Sequence, residues 1–167
     1  YVYANGGGTD DAVLAGSATT ANRFYGYPDY SILTESSSSF YFYARGFDTV
    51  TASSPSTAIT YAYLYDSTGT DALTADPTTA AMDRAAPWSD TTVSGFKRLY
   101  AYSTRGGTDS AQLTGSSAGG GTTNSWEVTG MISLSADPGR TPWMEAPART
   151  SWLTGAVNRS SLSRAMT

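Results

Sequence analysis

Residues 58–66 read AITYAYLYD. Successive side chains of a strand point to opposite faces. Ala58, Thr60, Ala62 and Leu64 therefore share one face, apolar if Thr60 is tolerated, and Ile59, Tyr61, Tyr63 and Tyr65 share the other. The same period of two runs through residues 99–103, where Leu99, Ala101 and Ser103 oppose Tyr100 and Tyr102. Asp109, Ala111 and Leu113 fall together in the same way. Residues 71–76 and 93–99 are further short strand candidates, bounded by Gly, Pro, Asp or Ser. The one helix candidate is 78–86, TTAAMDRAA, following Pro77, with a polar loop as its alternative.

Beyond this stretch, the chain resembles itself. Residues 1–10, YVYANGGGTD, match residues 100–109, YAYSTRGGTD, at a separation of 99. A weaker copy lies midway. Leu14, Leu64 and Leu113 are spaced by 50 and 49, and Ala12, Ala62 and Ala111 keep the same spacing, as do Ser17, Ser67 and Ser116. Pro28 and Pro77 are 49 apart, as are Gly46-Phe47 and Gly95-Phe96. The expected organisation is unit 1 over 1–50, unit 2 over 51–99, and unit 3 over 100–139 with an insertion after Ser116. Residues 140–167 form a divergent terminal cap or tail, net +3 against −7 for the remainder.

Short strands in tandem units point to an all-β fold. A β-solenoid (β-helix-like) is expected, because the inward parity is rich in Ala and Leu and suits a thin interior; a β-sandwich is the alternative. Leu64-Tyr-Asp-Ser67 with Gly69 and Asp71, an L-Y-D-S-x-G-x-D pattern, is followed by a Pro and, about 20 residues on, by Gly-Phe. This resembles the tandem repeats of very large secreted or surface proteins of planctomycete-type bacteria. Units 1 and 3 lack the Tyr-Asp, reading Leu14-Ala-Gly-Ser17 and Leu113-Thr-Gly-Ser116. The resemblance implies a structural array outside the cytoplasm, with no catalysis.

Composition removes several chemistries. Across 167 residues there is no Cys and no His, so disulfides, thiolate sites, the serine–histidine relay and the usual zinc ligands are excluded. Lys97 is the single lysine, so no nucleic-acid partner is expected. No apolar run reaches membrane-spanning length. The opening residues have neither a basic start nor an apolar segment, so a mature piece or a section of a longer protein is expected. Ser and Thr together number 48, a composition suited to extracellular β proteins.

Candidate sites follow from the pattern. Asp66 and Asp71, with Gly69, fit a calcium-binding turn in which carboxylates and carbonyls share a hard cation, or a turn shaped only by backbone conformation. Asp10 and Asp109 each follow Gly-Gly-Thr. No cofactor is expected beyond that candidate Ca2+. Tyr61, Tyr63, Tyr65, Tyr100 and Tyr102 form one aromatic face, suited to self-association or to stacking on sugars. Residues 40–43, Phe-Tyr-Phe-Tyr, are hydrophobic on both parities and expected at an interface or buried. For acid–base catalysis Asp10 with Asp11, Asp66 with Asp71, and Glu127 or Glu145 have no distinguishing spacing. Ser36 to Ser39 and Ser53 to Ser56 are candidate O-glycan sites, and Asn158-Arg-Ser160 is a lone sequon. The expected function is a secreted or cell-surface structural subunit that partners itself in a filament, matrix or surface layer. The alternative is a polysaccharide-binding adhesin module.

Overall fold

The computed structural model describes residues 1–36 and 40–114, together with the strand segments 125–130, 132–134 and 151–154. The described elements are all β. The strands are β1 (Val2–Tyr3), β2 (Asp11–Ala15), β3 (Asn22–Gly26), β4 (Tyr30–Glu35), β5 (Tyr41–Arg45), β6 (Thr49–Ser53), β7 (Tyr61–Tyr65) and β8 (Asp71–Ala75). They continue as β9 (Thr79–Arg84), β10 (Asp90–Ser94), β11 (Arg98–Ser103), β12 (Asp109–Leu113), β13 (Ser125–Gly130), β14 (Ile132–Leu134) and β15 (Ser151–Thr154). Two mixed sheets result. The eight-stranded sheet has the order β1-β5-β4-β3-β7-β11-β13-β15, and the seven-stranded sheet β14-β12-β8-β9-β10-β6-β2. No helix among the described residues is long and apolar enough to cross a membrane.

Two expectations are corrected locally. Residues 78–86 carry β9, not a helix, because Ala80 and Met82 fall on the buried parity of a strand already paired on both sides. The 93–99 run is broken: β10 ends at Ser94, and Gly95 turns the chain at φ 72° before β11.

The inward parity of each strand builds one core shared by both sheets. Phe24, Leu33, Ala44, Ala62, Leu64 and Ala101 come from the eight-stranded sheet. Leu14, Val50, Ala52, Leu73, Met82 and Val93 come from the other. Thr60, with 0% exposure, is accepted on this side because its Oγ1 accepts the Lys97 N–H at 3.0 Å. Full burial of a side chain such as Leu64 or Phe24 contributes about 1.5–3 kcal/mol.

The spacing of 49 takes a form in space that differs from simple piling. The parallel pairs β2-β6, β3-β7 and β8-β12 join residues 38 apart: Asp11 faces Thr49, Arg23 faces Tyr61, and Ala72 faces Ser110. The residues 49 apart lie in opposite sheets. Asn22 faces Glu35 across β3 and β4 in one sheet, and Asp71 faces Arg84 across β8 and β9 in the other. Tyr30 faces Arg45 and Thr79 faces Ser94 with the same displacement. Leu14 and Leu113 sit in the seven-stranded sheet, whereas Leu64 sits in the eight-stranded one. The cause is topological. From β1 to β6 the chain crosses between sheets three times, an odd number, so the next block of five strands starts on the other side. The stretch after Ser116 and the terminal segment 140–167 lie outside the described residues, apart from β13, β14 and β15.

The tight turns recur with the same displacement. A Cβ at Gly46 would stand 2.4 Å from the Ala4 carbonyl oxygen, and one at Gly95 2.3 Å from that of Ser54. Both glycines have positive φ, 79° and 72°. Gly95→Ala therefore brings both a left-handed backbone penalty and a backbone clash. We expect it to lower stability by about 1–3 kcal/mol, measured as a drop in the denaturant midpoint with an unchanged slope.

Between β8 and β9 the Asp76 carboxylate accepts N–H bonds from Thr78 and Thr79 at 2.7 and 2.8 Å, and hydroxyl bonds from the same two residues at 2.8 Å. These four donors hold its pKa down to about 2. A depressed native pKa means the contribution is whole above the unfolded value, about 4, and fades as pH falls towards 2. Asp76→Ala should flatten the acid limb of stability between about pH 4 and 2, read from thermal melts at stepped pH.

Candidate functional site: a tyrosine face and a buried carboxylate corner

The outward parity of the eight-stranded sheet is aromatic. Parallel pairing sets Tyr25 beside Tyr63 and Tyr63 beside Tyr100 on β3, β7 and β11. Neighbouring strands lie about 4.8 Å apart, which is a stacking distance for flat rings. The rings comply: Tyr25 and Tyr63 are 4.9 Å apart with planes 8° from parallel, and Tyr63 and Tyr100 5.0 Å and 13°. A second row runs Tyr27, Tyr65, Tyr102 at 4.3 and 4.9 Å. It continues through Tyr30 to Tyr43 at 4.5 and 5.4 Å, and reaches Tyr1 and Tyr3 at 5.5 and 5.9 Å. Each such pair adds about 0.5–1.5 kcal/mol beyond area burial.

All five tyrosines named from the sequence are thus brought together, and all are half-buried. The structure adds Tyr25, Tyr27, Tyr30 and Tyr43 to the face. Tyr61 lies at its margin, between Arg23 and Arg98 in register, with the Arg98 guanidinium 5.6 Å from its ring centre. The outer side of the seven-stranded sheet is different: Thr49, Thr51, Thr92, Ser94, Thr74 and Gln112 occupy outward positions. Tyr41 and Phe42 of the 40–43 run are 46% and 44% exposed, so that run lies at the surface.

The carboxylates named for calcium are both buried, and a third joins them. Asp66, Asp71 and Asp109 are 1%, 1% and 6% exposed. One oxygen from each lies within 4.8 Å of the others. Asp66 directly follows β7, Asp71 opens β8 and Asp109 opens β12. Gly107 lets the last turn close on the first: a Cβ there would sit 1.7 Å from the Gly69 carbonyl oxygen. Asp71 accepts from the Ser67 N–H and hydroxyl at 2.7 and 2.8 Å. Asp109 accepts from the Asp71 N–H at 3.0 Å and from the Ser103 hydroxyl. Asp66 Oδ2 accepts from the Thr104 and Arg105 N–H groups at 2.7 and 2.6 Å, and its Oδ1 has no partner. Burial pushes the Asp66 carboxyl above its usual range; the Arg105 and Thr104 N–H bonds oppose this, and the charges of Asp109 and Asp71 add to it.

Arg84 is the buried cation beside this corner. Burial lowers it to about 10, against the favourable charges of Asp71, Asp90 and Asp66, so it stays ionised at neutral pH. Its guanidinium donates to the Tyr65, Ser89 and Gly26 carbonyls and to the Thr91 hydroxyl. The sequence gives little sign of Arg84, because the alanine-rich stretch 78–86 suits a helix as well as a strand. Strand parity with Ala80 and Met82 would have marked it as buried.

The other candidates do not assemble. Asp10 is partly exposed and gives its N–H to Asp48 Oδ2 at 2.7 Å, and exposed Asp11 accepts from the Thr49 hydroxyl. Within 53–56, Ser54 and Ser56 are 4% and 3% exposed, which closes them to glycans. Ser37 to Ser39, Glu145, Asn158 and the Glu127 side chain lie outside the described residues.

Burial first, and neighbouring phenols second, raise the pKa of Tyr30, Tyr63 and Tyr65 above the ordinary value of 10.0. The native state then keeps protons that the unfolded chain releases above about pH 10, so stability is full below that point and falls as pH rises past it. Ultraviolet titration should show a late phenolate fraction appearing together with unfolding, and Tyr63→Phe should soften the alkaline slope.

No family model matches the chain, and neither the curated proteins nor the solved structures contain a match.

Proposed function

We propose that the chain is a structural subunit of an extracellular filament, matrix or surface layer, secreted or held at the cell surface. It associates with copies of itself through sheet edges and its tyrosine face, a mechanical role rather than a catalytic one. The tyrosine face carries this reading. Ten phenol rings, in two stacked runs of three and seven, make an aromatic, largely neutral surface, of the character that marks association. The edges support it. β1 and β2 border the two sheets, and Tyr1, Val2, Tyr3 and Val13 there are 79%, 51%, 55% and 77% exposed. Unpaired strand edges are templates for further pairing.

We read the path as a flattened tandem β-solenoid. The parallel stacks β2-β6-β10, β3-β7-β11 and β8-β12 support this. The antiparallel insertions β4 and β9 favour the alternative, a sandwich of two mixed sheets.

A second reading is a carbohydrate-binding adhesin module. The observation favouring it is Tyr61 flanked by Arg23 and Arg98, since a flat ring beside guanidinium donors suits a sugar face and its hydroxyls. Sedimentation velocity and negative-stain microscopy of the full chain separate the two. We expect concentration-dependent regular assemblies that Tyr63→Ser with Tyr100→Ser abolishes. A monomer retained on a polysaccharide column, and released by Tyr61→Ala, would transfer the assignment to the second reading. A monomer retained by nothing would sink both.

A further inference from the structure

We propose that Asp66, Asp71 and Asp109 hold a hard divalent cation of the calcium type at the corner joining β7, β8 and β12. The inference is independent of the assembly role.

Three buried carboxylates within 4.8 Å of one another need compensation. Among the described residues none of the three is in an ion pair; the one salt bridge is Arg45 to Asp29 at 3.5 Å, at the surface. Every donor reaching them is a neutral N–H or hydroxyl. Arg84, the nearest buried cation, directs its N–H groups to carbonyl and hydroxyl oxygens instead. A second observation points to a ligand. Asp66 is 99% buried, its Oδ1 has no partner, and it lines a cavity of about 10 Å³ shared with Asp71 and Asp109. That volume is close to the least that holds one small occupant.

The molecule also contains its own control. The corner occurs twice, with partners displaced by 49 or 50 residues: Gly16, Asn22 and Thr60 stand where Asp66, Asp71 and Asp109 stand. The backbone bond from Gly16 N to Ser53 O matches that from Asp66 N to Tyr102 O. Asn22 Oδ1 accepts the Ser17 N–H at 2.9 Å as Asp71 accepts that of Ser67. There the Asn22 amide N–H group donates to Ser17 O and Ser54 Oγ, both at 2.8 Å. The fold therefore makes this corner without charge, so three acids in the second copy are not a requirement of the turn. The donors are oxygen alone, in a chain without His or Cys, which selects calcium or magnesium over softer metals.

The test is calcium binding by the full chain, stripped with chelator and dialysed. Calorimetric titration should give one site per chain. Saturating Ca2+ should raise the melting temperature by about 5–10 °C, the shift for a ligand at about a hundred times its dissociation constant. Tb3+ should emit by transfer from Tyr102, which borders the cavity. Exchanging the corner for its neutral counterpart, Asp66→Gly with Asp71→Asn and Asp109→Thr, should leave a folded protein without the calcium shift or the terbium signal. If that variant does not fold, Asp66→Asn should weaken binding at least tenfold while Asp83→Asn, at an exposed site, leaves it unchanged. A native chain that binds no calcium, or a folded corner-exchange variant that binds as the native chain does, overturns the proposal.

Discussion

Parallel hydrogen bonding between strands about 38 residues apart sets where every side chain finishes. Once Arg23, Tyr61 and Arg98 are aligned, the pleat leaves no choice. Ala62, Leu64, Phe24 and Ala101 go inward to a shared core, and the tyrosines two residues apart go outward into columns. A slip of one residue would bury phenols and expose leucines. The stacked rings and the apolar interior are therefore two readouts of one register. Each penalises the wrong alignment of the other.

The period of two in AITYAYLYD is enough to assign β7 and both of its faces, with Tyr61, Tyr63 and Tyr65 on the outer one, and the same alternation over 99–103 places Tyr100 and Tyr102. The all-β class followed from the same pattern. The lateral register was not readable. It depends on pairing between segments whose likeness is chemical rather than literal, such as Phe24 beside Ala62. The spacing of 49 could be seen, but not that it changes sheets, since an offset along a chain carries no sign of which side the next block lands on. The strongest likeness, Tyr1 and Tyr3 with Tyr100 and Tyr102, is at about twice that spacing. β1 and β11 share a sheet, whereas β6 between them does not.

The acidic corner was half visible. Asp66 and Asp71 stood out through Gly69 and the turn chemistry around them. Asp109 and Asp10 share the Gly-Gly-Thr lead-in, yet only the former is drawn inward, because β12 pairs in parallel with β8 and sets Asp109 next to Asp71. Arg84 was hidden by an alanine-rich stretch whose local propensity favours helix, a preference that pairing with β8 and β10 overrides. Asn22 gave no signal alone. Its significance appears only when it is set against Asp71, as the uncharged version of the same joint.

The odd number of sheet crossings has a consequence for how such a chain can grow or shrink. Interior positions repeat from block to block, but exterior ones follow the side on which they emerge: Tyr61, Tyr63 and Tyr65 on β7 correspond to Asp11, Val13 and Ala15 on β2. Gaining or losing one block would turn every later strand over, sending aromatic residues to the hydroxyl-rich side and hydroxyl residues into the phenol columns. Length can change without that inversion only by pairs of blocks, so duplication of this architecture is quantised in steps of two.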